Sequence, residues 1–89
     1  MQFEWDPEKA RANEVKHGVT FAEATEIFVD SLSSTVADPD HSEFEERFVI
    51  FGISSTNRYL VASFTEPGDR IRIISARTMT RQEQAAYEQ

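Results

Sequence analysis

Three stretches of this chain, Arg47 to Ile53, Arg58 to Thr65 and Arg70 to Arg77, are dense in Val, Ile, Phe and Tyr and are parted by the polar sequences SSTN and EPGD. Runs of β-branched and aromatic residues favour strands, and short loops of that composition favour hairpins. Strands so closely joined run antiparallel, because a parallel crossover needs about a dozen residues or more. RFVIFGI and YLVASF are apolar at odd and even positions alike. The sheet is therefore expected to be covered on one face and at least partly on the other.

The pattern ahead of these runs is helical. Gln2 to Trp5 reads as a short strand ending at Asp6, which is placed to cap a helix with Pro7 at its first position. Ala10, Ala12, Val15 and the alkyl part of Lys16 form a thin apolar stripe, and Gly18 is suited to end the helix in a left-handed conformation. Thr20 and Glu23 make a capping-box pattern before a second helix whose apolar face is Phe21, Ala24, Ile27 and Phe28, stopping near Asp30. Ser33 to Ala37 reads as a weak strand. Thr80 and Glu83 repeat the capping-box pattern before a C-terminal helix with Ala85, Ala86 and Tyr87 as its few apolar residues, a helix that docks on a partner or frays. The order β-α-α-β-β-β-β-α predicts one α+β domain over residues 1–89, an antiparallel sheet packed against two N-terminal helices plus a C-terminal helix.

Composition narrows the chemistry. A chain of 89 residues has little margin for a deep enclosed pocket, so a site is expected in a surface groove. It has no cysteine, which excludes disulfides, thiolate metal sites and thiol nucleophiles. No stretch approaches the roughly 18 apolar residues of a membrane span, and no basic start precedes an apolar run, so a cytoplasmic location away from membranes is expected. The formal net charge is −7. Residues 1–46 carry twelve acids and three bases, whereas residues 47–89 carry six arginines and four acids. Arginine has the rigid donor fork that matches phosphate, so the second half is able to offer a local anion site.

Candidate chemistry follows from position. Residues two apart on a strand share a face, so Arg70 and Arg72 project together while Ile71 and Ile73 point the other way. Ser75 and Arg77 fall on the side of Ile71 and Ile73 unless a bulge shifts the register. An arginine at Arg77 then needs an anion or an acidic partner, with the acids from Asp38 to Glu46 as the structural choice. Lys16 and His17 end the first helix, where its dipole stabilises cationic side chains, although simple C-capping explains them as well. The run Asp38, Asp40, His41, Glu43 offers oxygen ligands and an imidazole but matches no closed zinc or calcium spacing, so no metal is expected. Glu46 is a conceivable general base that nothing selects over Glu43 or Glu45. Trp5 and Phe3 are expected in the core, and Tyr59 on a central strand.

Two separated segments, FEWDPEKARANEVKHGVTF from Phe3 to Phe21 and GDRIRIISARTMTRQE from Gly68 to Glu83, together with DPDHSEFEERFVIFG between them, resemble the BrnT family of ribonuclease toxins. The resemblance implies a fold like that of RelE and ParE toxins and a metal-independent, cofactor-free endoribonuclease that inhibits growth. It implies catalytic roles for Arg77, His17 and Lys16, and substrate contacts from Arg70, Arg72, Arg81 and Arg47. It further implies a BrnA-like antitoxin that neutralises the toxin, forms a heterotetramer through its own dimer, and alone contacts operator DNA. Toxins of RelE-like fold are usually basic, so the net charge departs from their pattern. The alternative is a non-catalytic module whose acidic half binds a basic partner and whose arginines are structural.

Overall fold

The computed structural model describes residues 1–41 and 45–89. Its elements are β1 (Gln2–Glu4), α1 (Pro7–His17), α2 (Phe21–Thr25), β2 (Ser34–Ala37), β3 (Arg47–Ile53), β4 (Tyr59–Thr65), β5 (Arg70–Thr78) and α3 (Arg81–Tyr87). A 3-10 turn, Glu26–Val29, continues α2, and a second, Pro39–His41, follows β2. None of the described helices is long and apolar enough to cross a membrane.

Side chains fix the boundaries. Asp6 is extended and its carboxylate accepts the Glu8 amide at 2.9 Å, satisfying one of the orphan donors of the first turn. Gly18 adopts φ 67° and donates its amide to the Glu14 carbonyl, closing α1. Thr20 accepts the Glu23 amide at 3.0 Å to open α2. At α3 the capping box is complete, with Thr80 accepting the Glu83 amide and Glu83 accepting that of Thr80.

The α+β layout is as expected, with one refinement. The sheet runs β1-β5-β4-β3-β2, antiparallel from β2 to β5, but β1 lies parallel to β5, so the sheet is mixed. The hairpin argument applies only to consecutive strands; β1 and β5 are separated by most of the chain and are free of it. The core lies between the sheet and the N-terminal helices. Leu60, Ala62 and Phe64 of β4, Ile50 of β3, and Ile73 and Ala76 of β5 meet Phe21, Ala24 and Ile27. Each large side chain fully buried there contributes about 1.5–3 kcal/mol. Trp5 and Phe3 join this core as expected, edge-on to Phe21 and Phe28 respectively.

α1 keeps only part of the expected stripe. Ala10 packs against the core, but Val15 is 87% exposed, and the buried residue is Asn13. Asn13 donates to the carbonyls of Val19 (3.0 Å) and Ala76 (2.8 Å) and accepts the Ala76 amide (3.1 Å). These bonds satisfy β5 where the short β1 has ended, so a polar clasp adds to the apolar contact of Ala10 in holding α1.

Candidate active site

A bulge decides where Arg77 points. Ser63 pairs with Ser75 but Phe64 pairs with Ile73, so Ile74 is an extra residue in β5. Ile71 and Ile73 pack toward the helices before the bulge, and Ala76 does so after it. Arg77 therefore shares the opposite, outer face with Arg70 and Arg72, not the side of Ile71 and Ile73. The register also sets Arg47, Thr65 and Arg72 side by side across β3, β4 and β5 on this face, with Glu4 next in line on β1.

α3 covers the other end of the outer face. Glu83, Ala86 and Tyr87 border a depression with Ser34 and Phe51 of the sheet. The Tyr87 hydroxyl is 3.0 Å from both Asp30 Oδ2 and the Leu32 carbonyl, and its ring meets Tyr59 edge-on. Burial first, and then the Asp30 hydrogen bond, push Tyr87 up to about 12. Asp30 is held below its ordinary value by the amides of Ile53 and Leu32. This helix is thus docked on its own chain.

Docking brings Glu83 to Arg77. Nη1 lies 2.7 Å from Oε1 and Nη2 2.9 Å from Oε2, a bidentate pair, and Nη1 also donates to the Thr78 carbonyl at 3.1 Å. Among the described residues, no hydrogen bond engages Nε, leaving the guanidinium edge formed by Nε and the outer Nη2 proton for a further anion. The Arg77 hydrogen bonds hold Glu83 at about 2, and Glu83 in turn raises Arg77. The partner of Arg77 is therefore Glu83, not a described acid of the Asp38 to Glu46 run. Within that run Glu45 instead pairs with Arg72 at 3.5 Å, and Glu43 lies outside the described residues.

The remaining arginines divide. Glu4 joins Arg70 (3.2 Å) to Arg72 (2.7 Å). Arg47 is half-buried on β3, and Arg81 is exposed at the start of α3. Lys16 is exposed and His17 half-buried at the end of α1. They stand on α1, which is tied to β5 through Asn13, one helical turn before His17 and bonded to the residue preceding Arg77. Asn13 escaped the sequence reading because a single asparagine on a weak helix carries no periodic signal. Arg58 ties the Gly18 carbonyl after His17 to Glu23.

Glu46 is exposed and borders a depression with Phe48 and Glu66. Glu45 lines the same depression and pairs with Arg72, so the structure singles out neither carboxylate as a base. Among the described residues no three His, Asp or Glu side chains gather as a metal site.

Comparison with known proteins agrees with this fold. A solved structure titled as the Brucella abortus ribonuclease toxin BrnT superposes with a TM-score of 0.68 at 23% identity, over 91% of this chain and 99% of that one. No curated protein sequence matches. The family model described as "Ribonuclease toxin, BrnT, of type II toxin-antitoxin system" matches residues 5–83, from Trp5 on the loop after β1 to the Glu83 that grips Arg77. The chain belongs to the BrnT family of ribonuclease toxins.

Proposed function

We propose that the chain cleaves RNA at the border between the arginine face and the end of α1. The observation that carries this reading is Arg77, oriented by Glu83 and Thr78 while one edge of its guanidinium stays open to a phosphate. In this chemistry the 2′-hydroxyl gives its proton to solvent water and its oxygen bonds to the adjacent phosphorus. The bond to the 5′-oxygen breaks, leaving a cyclic phosphate and a 5′-hydroxyl. In this reading Arg77 stabilises the added negative charge, Lys16 adds a second cation, and His17 supplies the proton to the departing 5′-oxygen. Arg72, Arg70, Arg47 and Arg81 hold flanking phosphates. No metal or other cofactor takes part in this scheme.

A BrnA-like antitoxin neutralises the activity in this reading, joining two toxin chains through its own dimer and carrying all contact with operator DNA. The test is induced expression in bacteria of the wild type, Arg77→Ala and His17→Ala, with soluble protein matched by circular dichroism. Growth arrest and RNA fragments from the wild type, lost in both variants, are expected. Full arrest by a well-folded Arg77→Ala variant would remove Arg77 from the site. Absence of arrest by soluble wild type would favour the non-catalytic binding module.

A further inference from the structure

We propose that the open edge of β2 is a docking strand for a basic, extended segment of a protein partner. This holds whether or not the chain cleaves RNA. β2 borders the sheet, and all its residues, Ser34–Ala37, are exposed. It carries no lysine or proline, two of the devices that normally blunt an edge.

The hydrogen-bonding direction of each residue follows from the register. The Asp38 amide donates to the Arg47 carbonyl at 2.8 Å, which makes that opposed pair a hydrogen-bonded one. Such pairs alternate along an antiparallel ladder, so Val36 with Val49 and Ser34 with Phe51 are bonded pairs. Thr35 and Ala37 therefore aim their amides and carbonyls outward. A partner strand laid there finds a row of backbone groups, with apolar surface close by. Val36 is 50% exposed, and Val29 and Leu32, in the turn leading into β2, are 75% and 76% exposed.

Charge selects the occupant. From Glu26 to Glu46 the sequence holds seven acids and neither lysine nor arginine. A second copy pairing through β2 brings two such segments together, and RNA is repelled outright. A strand alternating lysine or arginine with apolar residues satisfies the backbone, the valines and the field at once.

The probe is an eight-residue peptide alternating lysine and valine, titrated into the full chain while amide exchange is read residue by residue. A glutamate–valine peptide is the control. At least tenfold slower exchange at Thr35 and Ala37 is expected with the lysine peptide alone, with little change at Val36 and Asp38, which already face β3. Thr35→Pro removes one outward donor and should weaken binding at least tenfold, whereas Thr35→Val should bind as the wild type does. Unchanged exchange at both residues with millimolar peptide overturns the proposal, as does an equal response to the glutamate peptide. Protection of both amides without peptide, in a chain that sediments as a dimer, assigns the edge to a second copy instead.

Discussion

Arg77 and Glu83 meet arm to arm, Nη1 at 2.7 Å from Oε1 and Nη2 at 2.9 Å from Oε2, although one sits on β5 and the other in the first turn of α3. Glu83 Oε1 also accepts the Thr80 amide, so one carboxylate caps a helix and orients an arginine together. A lysine at this place keeps the charge but loses the fork. Arg77→Lys is expected to lower RNA cleavage about 10²-fold, the scale of losing one donor to a developing oxyanion. Glu83→Ala should lower it severalfold by releasing the guanidinium, and Glu83→Gln should recover part of that loss. Cleavage by Glu83→Ala at or above the wild-type rate would mean that the carboxylate competes with phosphate instead of positioning its partner.

The same pair gives a pH signature. Glu83 ionises at about 2 in the folded chain against an ordinary 4.5. Its contribution is therefore complete above about pH 4.5 and disappears as pH falls through 2. Because Arg77 is 41% exposed, solvent screening reduces it to about 1 kcal/mol. Urea midpoints of the wild type should fall between pH 4.5 and 2 more steeply than those of Glu83→Gln. Parallel slopes would show that the pair is too well solvated to matter.

Asn13 joins the two halves of the proposed site. Asn13→Ala leaves the Ala76 amide and carbonyl and the Val19 carbonyl without their partner in a buried setting. The expected cost is about 2–4 kcal/mol in urea unfolding. Cleavage should fall even where the variant is fully folded, because α1 then no longer fixes Lys16 and His17 relative to Arg77. A variant as stable as the wild type would assign those backbone groups to water.

Much of this fold was legible because the caps are local. Asp6, Thr20 and Thr80 each act within a turn of helix, and the sequence SSTN needs only Asn57, at φ 64°, to close its hairpin. The bulge at Ile74 was not legible, since RIRIIS alternates well enough to carry Arg77 to the wrong face. The pairing of Arg72 with Glu4 spans most of the chain and leaves no trace in either segment alone. Arginine was readable as a residue type in need of an anion, but the identity of that anion is a tertiary fact.

Gly52 offers the sharpest test of the core. A methyl group added there would stand 2.8 Å from the Ile27 Cβ, 3.2 Å from the Ile27 carbonyl oxygen and 3.3 Å from Asp30 Oδ2. Ile27 is fully buried, and two of these atoms belong to its backbone carbonyl and to the Cβ that every non-glycine residue has, so no rotamer change relieves the contact. Gly52→Ala should cost about 1–3 kcal/mol, seen as a fall of roughly 4 °C or more in Tm. Adding Ile27→Val should not restore it, because the crowded Cβ and carbonyl remain. The strain should also reach α3, since Asp30 binds both the Ile53 amide and the Tyr87 hydroxyl. The near-ultraviolet tyrosine signal is therefore expected to weaken before the main transition in Gly52→Ala. Loss of both signals together would mean that α3 melts only with the sheet, and an unchanged Tm would refute the close approach of β3 to the turn at Ile27.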